Sequence, residues 1–114
     1  MNMAKENVNI NMRQKAMISQ PMNGMSSDDI LAAREHATAL LTEWGYDVED
    51  TFFTDDGFIS EDTRNVSIAY LAKSIEAMSK CDTVYFCKGW ATARGCKIER
   101  KIAEEYGLII IDEF

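Results

Sequence analysis

The chain is poor in the residues that support several common kinds of site. Its 114 residues contain a single histidine, His36, which falls inside a predicted helix. A histidine-based triad or zinc site is therefore not expected. The three cysteines, Cys81, Cys87 and Cys96, are separated by five and then eight residues, a spacing that matches neither a zinc ribbon nor a CxxC redox pair. We predict that they fill the core of a cytoplasmic protein without a structural metal.

Positive charge and long apolar runs are also scarce. Twelve Lys and Arg stand against 19 Asp and Glu, which gives a formal net charge of −7 at pH 7. Binding to a nucleic-acid polymer depends on clustered cations, so we predict no such affinity. A small anionic ligand is compatible with this charge, because loop amides and one or two local cations hold phosphate in acidic proteins. No apolar run approaches the roughly 18 residues of a spanning helix, and no secretory signal opens the chain, so no membrane association is expected.

The length predicts one domain with one core. Residues 1–14 are rich in Asn and show no helical or strand period, so we interpret them as a flexible leader. The domain then occupies residues 15–114. Within it, short apolar runs predict four strands, over Lys15–Ser19, Tyr46–Phe53, Thr83–Cys87 and Leu108–Ile111.

Segments of helical period separate these strands. The first helix is expected to begin at the N-cap Ser26 and to end before Gly45. Apolar residues from Ile68 to Met78 mark the second, and the third is predicted over Thr92–Tyr106. This βαβαβαβ order predicts an α/β fold, a flavodoxin- or Rossmann-like three-layer sandwich with a four-stranded parallel sheet in the order 2-1-3-4.

Ligands bind such sheets beyond the carboxyl ends of the strands, which directs attention to three loops. The loops are Ser19–Met25, Thr51–Arg64 and Lys88–Arg94. The second is acidic, with Asp55, Asp56, Glu61 and Asp62. We interpret it as a solvated loop, with a lid that supplies an acid or a metal ligand as the alternative.

The loop after strand 1 contains Ser19, Gln20 and Gly24, whose hydroxyl, amide and backbone can serve phosphate or sugar oxygens. The alternative is a plain turn, for which Pro and Gly are common. The chain has neither the GxGxxG fingerprint of dinucleotide-binding folds nor a Walker A motif.

The loop after strand 3 leads into the third helix. Gly89 and Gly95 would let the backbone approach a ligand closely, and Thr92 is expected to cap the helix. The helix N-terminus offers free amides, and Arg94 adds a guanidinium that can bind an anion. Trp90 at the strand end offers a face for stacking on a base, as does Phe53 after strand 2, although aromatic residues there also close cores.

Glu99 lies within the first two turns of the same helix. There we expect the helix dipole to lower the pKa of its carboxyl and to keep it an ionised nucleophile. The alternative is a solvent-facing acid paired with Lys97 or Arg100.

Three segments, MISQPMNG, SKCDTVYFCKGW and ARGCKIERKIAEEYGL, resemble an uncharacterised domain family. That family is grouped with the nucleoside 2-deoxyribosyltransferase-like superfamily, and the resemblance covers about residues 15–112. The resemblance implies a nucleoside or nucleotide N-glycosidase or (deoxy)ribosyltransferase that needs no cofactor. It also implies a homo-oligomer whose partner is a small-molecule nucleoside or nucleotide.

In such relatives a glutamate four residues after a loop glycine attacks C1′ of the ligand, and Gly95 and Glu99 match that spacing. The resemblance also assigns base and sugar binding to Ser19, Gln20 and Met22, and phosphate binding to the segment Thr92 to Gly95.

Two positions depart from the relatives' pattern. Ser74 stands where an aspartate is usual, and Ala93 stands where Asp or Ser is usual. These departures leave open a non-catalytic module of the same fold that binds or senses a nucleotide. A third reading is an oligomeric scaffold without a ligand, because a fold does not guarantee a function.

Overall fold

A computed structural model describes residues 14–51 and 56–113 of the chain. The predicted leader up to residue 13, and also Phe53 and Asp55, lie outside the described residues. The elements, in chain order, are β1 Lys15–Ser19, α1 Ser27–Glu43, β2 Asp47–Glu49, α2 Val66–Met78, β3 Thr83–Phe86, a 3₁₀ turn Trp90–Thr92, α3 Arg94–Glu105 and β4 Ile109–Asp112.

The four strands form one parallel sheet in the order β2-β1-β3-β4, which confirms the predicted topology. β1 lies at the centre, and Ser19 at its carboxyl end pairs with Phe86 at the end of β3. The loops that follow these two strands therefore start side by side at one edge of the sheet.

Alternation along the strands divides the core between the two faces of the sheet. On one face, Ala16 and Ile18 of β1 pack with Ala37 and Leu41 of α1. On the other face, a second cluster joins the sheet to α2 and α3 and comprises Met17, Met78, Cys81, Val84, Phe86 and Ala103. The result is the predicted three-layer α/β sandwich, with α1 on one side and the other two helices opposite.

The predicted ends of α1 are confirmed. Ser26 is its N-cap, and the Ser26 side-chain oxygen accepts a hydrogen bond from the Asp29 N–H at 3.1 Å. Gly45 follows the helix with a φ of +95°, a conformation that favours glycine. Local sequence signals are sufficient here, because capping needs only neighbouring residues.

β2 is shorter than the predicted Tyr46–Phe53 and ends at Glu49. Beyond it the Thr51 hydroxyl donates to the Ile18 carbonyl at 2.9 Å. A side chain therefore joins the chain to β1 at this point. The last two residues of the predicted strand, Phe52 and Phe53, lie outside the described part of the chain.

β3 differs from prediction by one residue at its end, and β4, which ends at Asp112, differs by one residue at each end. β3 stops at Phe86, before Cys87. β4 begins at Ile109, because the Leu108 N–H donates to the Ala103 carbonyl and so still belongs to the end of α3.

The start of α3 also corrects the prediction that Thr92 caps this helix. Thr92 lies in the 3₁₀ turn and its hydroxyl donates to the Gly89 carbonyl at 3.1 Å. Gly89 has a φ of +91°, which turns the chain out of β3. The helix begins at Arg94, and its N-cap is Ala93, whose side chain cannot accept a hydrogen bond.

Within residues 14–51 and 56–113, no helix has the length and apolar character needed to cross a membrane.

The two leucines of α1 test the assignment of its buried face. Leu41 is fully buried against β1, whereas Leu31 on the same helix is 40% exposed. We expect Leu41→Ala to lower the free energy of unfolding by about 2–5 kcal/mol, since it leaves a cavity in the core. Leu31→Ala is the matched control, with an expected loss below about 1 kcal/mol. Chemical denaturation measures both, and equal losses would contradict this orientation of α1.

Candidate functional site

The site is centred on a buried hydrogen bond between the end of the central strand and α3. Ser19 is the last residue of β1, and its hydroxyl donates to Oε1 of Glu99 at 2.5 Å. Ser19 is 2% exposed and Glu99 is 7% exposed. Eighty positions separate the two residues, both of which the sequence had marked as site candidates, and the fold brings them into contact.

Glu99 is buried because it lies on the inward stripe of α3, together with Cys96 and Ala103. This spacing of three and four residues normally carries apolar side chains. The alternative of a solvent-facing acid is therefore wrong. Arg100, one of its two suggested partners, instead pairs with Asp112 at the end of β4.

Burial also reverses the expected pKa shift. Loss of solvent raises the pKa of the Glu99 carboxyl, and this effect exceeds the opposing influences of its neighbours. Those neighbours are the hydroxyls of Ser19 and Ser74, through hydrogen bonding, and the positive charge of Arg34. The expectation that the helix dipole lowers this pKa is wrong. The dipole acts within the first turn of a helix, and Glu99 lies beyond the first turn of α3.

Ser74 belongs to the site, although the sequence presented it only as a departure from an aspartate. It lies on α2, and its side chain favours the ionised form of the Glu99 carboxyl through hydrogen bonding. A sequence signal existed, since Ser74 falls between Leu71 and Met78 on a helical stripe that is otherwise apolar.

Arg34 is the residue that sequence reasoning missed altogether. It lies on α1 in the stripe that also contains Ile30, and its Nε donates to Oε1 of Gln20 at 2.9 Å. Its Nη2 donates to the Thr51 hydroxyl at 3.1 Å. A basic residue within a buried stripe was the available signal, but the sequence does not say which acceptors it would meet.

Gln20 and Met22 occupy different environments. Gln20 is buried, and its amide is engaged on both sides, since Nε2 donates to the Ile30 carbonyl at 2.8 Å while Oε1 accepts from Arg34. Met22 is 39% exposed in the loop that follows. Gln20 thus joins β1 to α1, and its assignment to the ligand stays a prediction.

Trp90 packs into the protein. Its ring centroid lies 5.7 Å from that of Phe86, and the Arg100 guanidinium lies 4.3 Å from the Trp90 ring. These contacts agree with the core-closing alternative, and stacking on a base stays a prediction. Thr92 and Arg94 are exposed at the start of α3, next to the half-buried Gly95.

The three cysteines are buried and free, in agreement with their predicted place in the core. Burial raises the pKa of Cys81 to about 11 and that of Cys87 to about 12, so both are thiols at neutral pH. In the described part of the chain, no group of three or more His, Cys, Asp or Glu side chains could hold a metal ion.

A surface groove of about 420 Å³ lies between Phe58 and one face of α2. Its other lining residues are Ala69, Ala72, Lys73 and Glu76. It shares no residue with the Ser19–Glu99 contact, so the chemistry of the site and this groove are separate features.

The raised pKa of Glu99 predicts a specific dependence of stability on pH. A carboxyl whose pKa is higher in the folded chain stabilises the fold below its ordinary pKa of 4.5, and that stabilisation is lost as pH rises through the folded value. We therefore expect Glu99→Gln to unfold at a higher temperature than the wild type at pH 7–8, and the difference to vanish near pH 4. Thermal unfolding from pH 4 to 8 measures it.

Glu76→Gln is a control for which we expect the opposite dependence of stability on pH. The exposed Glu76 carboxylate pairs with Lys73 at 3.0 Å, which lowers its pKa, so this pair stabilises the fold above the ordinary pKa and loses its effect in acid. A Glu99→Gln variant less stable than the wild type at every pH would contradict the burial argument.

Comparison with curated proteins and with solved structures finds no match. Comparison with family models finds one that matches residues 14–112, and thus nearly all of the chain. The chain belongs to that family, the domain of unknown function DUF4406.

Proposed function

We propose that this protein is a nucleoside or nucleotide N-glycosidase or (deoxy)ribosyltransferase in which Glu99 attacks C1′ of the sugar. The observation that carries the proposal is the buried contact between Ser19 and Glu99 at the carboxyl end of the central strand. A carboxyl at the ligand-binding edge of a parallel sheet, held by the Ser19 hydroxyl and away from water, suits a nucleophile. The resemblance to the nucleoside 2-deoxyribosyltransferase-like superfamily supplies the substrate class.

The reaction proceeds by two displacements. A Glu99 oxygen forms a bond to C1′ while the C1′–N bond breaks, and the electron pair of that bond leaves with the base, which takes up a proton. Water or an acceptor base then attacks the glycosyl ester at C1′ and gives up a proton to solvent, which balances the proton that the departing base took up. The C1′–O bond to Glu99 breaks, which restores the carboxylate and retains configuration. Ser19 and Ser74 orient the carboxyl throughout.

Attack requires the ionised form of Glu99, which burial disfavours. The hydroxyls of Ser19 and Ser74 and the charge of Arg34 favour that form. We therefore expect activity to rise with pH as Glu99 loses its proton, so that its raised pKa sets the acidic limb of the pH profile.

The other predicted residues complete the proposed ligand contacts. Arg94, Thr92 and the amides around Gly95 hold a phosphate at the start of α3, where backbone N–H groups lack helical partners. Ser19, Gln20 and Met22 contact the sugar or base, and Trp90 offers an aromatic face. The reaction uses no cofactor, and the proposal includes a homo-oligomer in the cytoplasm.

A second candidate is a module of the same fold that binds a nucleotide without cleaving it. The raised pKa of Glu99 favours this candidate, because burial makes the ionised form that attacks C1′ less favourable. The two functions differ in whether free base is released.

Glu99→Gln separates the two candidates. Removal of the nucleophile should lower base release by about 10³-fold or more, because the side chain keeps its shape but cannot form the ester. Chromatography of reactions with a panel of nucleosides and nucleoside monophosphates measures it. Glu105→Gln is the matched control, since Glu105 is on the same helix and is exposed in a pair with Lys101. If nucleosides or nucleoside monophosphates raise the unfolding temperature of the wild type but no free base is released, the binding module is favoured.

Gly95→Ala tests the phosphate contact. Gly95 is helical, and an added Cβ meets no atom within 4 Å, so the fold does not require glycine there. We expect this variant to gain about 0.5–1 kcal/mol in free energy of unfolding, because alanine favours a helix. It should nevertheless bind nucleoside monophosphates more weakly, since the methyl group covers the approach to the amides.

Gly45→Ala is the comparison, because Gly45 has a positive φ and also has open space around its Cα. It should lose about 1 kcal/mol and keep its ligand affinity. Unchanged monophosphate affinity in Gly95→Ala, measured by calorimetry, would remove Gly95 from the proposed site.

A further inference from the structure

Arg34 lies across the carboxyl ends of two neighbouring strands, opposite the helices that contribute Glu99 and Ser74. We propose that Arg34 is a positioning residue of the Glu99 site, which fixes the end of β1 so that Ser19 stays directed at the Glu99 carboxyl. The inference rests on the proposed role of Glu99 and deepens it, because it identifies what holds the nucleophile's hydrogen-bond donor in place.

The guanidinium of Arg34 binds two separate segments of the chain. Its Nε donates to Gln20 at 2.9 Å and its Nη2 donates to Thr51 at 3.1 Å. One group from α1 therefore holds the residue after β1 and the segment after β2 at once. The planar guanidinium has donors at fixed angles, which a lysine lacks.

These contacts extend to both chain neighbours of Ser19. The Thr51 hydroxyl accepts from Arg34 and donates to the carbonyl of Ile18, which precedes Ser19 in the chain. Gln20, which follows Ser19, is held by Arg34 and by the Ile30 carbonyl. Both chain neighbours of Ser19 are thus fixed from the α1 side, while the Ser19 hydroxyl bonds to Glu99 on the other side of the sheet.

Arg34 also influences Glu99 through its charge. The charge of Arg34 acts on Glu99 in the direction of ionisation, against the effect of burial. The other groups that face Glu99 are Ser19 from β1, Ser74 from α2 and Cys96 from its own helix. Arg34 itself faces Asp50 and Cys87.

Burial lowers the pKa of Arg34, which marks the energetic cost of placing this charge among packed elements. A residue that only filled the stripe of α1 would not incur that cost. The proposed role explains why this charge lies beside the end of β1, which bears Ser19.

The test measures the titration of Glu99 directly and needs neither substrate nor turnover. Protein labelled with ¹³C at the glutamate side-chain carboxyls is titrated by NMR, and the resonance absent from Glu99→Gln identifies Glu99. We expect Arg34→Gln to raise the midpoint of Glu99 by about one pH unit, through loss of the charge and of the fixed strand end.

Arg34→Lys keeps the charge but cannot hold Gln20 and Thr51 together in the same plane, so its midpoint should rise by about half a unit. This variant also keeps the test informative if Arg34→Gln fails to fold. Arg100→Gln is the matched control. It removes the guanidinium that pairs with Asp112 and should lower stability without moving the Glu99 midpoint.

An unchanged Glu99 midpoint in Arg34→Lys and in folded Arg34→Gln would overturn the proposal and leave Arg34 a structural residue. The proposed function fails by a different result, the absence of a Glu99-dependent release of base. If a substrate is found, the acidic limb of its kcat/KM profile should move to higher pH in the Arg34 variants by the same amounts as the NMR midpoint.

Discussion

A carboxyl group buried between two layers of the sandwich is the constraint on which the site depends. Glu99 occupies a position of α3 that packing alone would give to an apolar residue, and the hydrogen bond from Ser19 reaches it from the end of β1. An isolated buried carboxylate is costly, so the surrounding elements must supply donors and positive charge or the group must keep its proton. The three contributions come from three different elements: β1, α2 and α1.

The carboxyl edge of the sheet is held on both sides by arginines that use their guanidinium groups differently. Arg34 binds the side chains of Gln20 and Thr51, which joins the ends of β1 and β2, and its charge acts on both Asp50 and Glu99. Arg100 pairs with Asp112 and lies over the rings of Phe86 and Trp90, so its charge is matched locally and joins α3 to β3 and β4. The first arrangement suits a site, and the second suits a structural joint.

Stability and the proposed chemistry make opposite demands at two positions. Replacement of Glu99 by a neutral side chain would relieve the cost of a buried charge, and alanine at position 95 would favour the helix. A sequence shaped by folding alone would have little reason to keep either residue. Both residues lie on α3 at one edge of the sheet, in agreement with the site proposed for that edge.

Much of the fold followed from the sequence, because its signals are local. Alternating apolar runs and helical stripes specified the parallel sheet and its order, and the cap at Ser26 and the glycine at position 45 specified the ends of α1. Ser19 and Glu99 were also recognisable as candidates. Only the tertiary structure decided that they touch, that Arg34 and Ser74 belong with them, and that burial raises the pKa of Glu99. The prediction for the start of α3 was wrong for a related reason. The Thr92 hydroxyl donates to the Gly89 carbonyl in a turn and does not cap the helix. A local pattern fixes what each segment becomes, but solvent exclusion and charge at a residue depend on which distant elements pack against it.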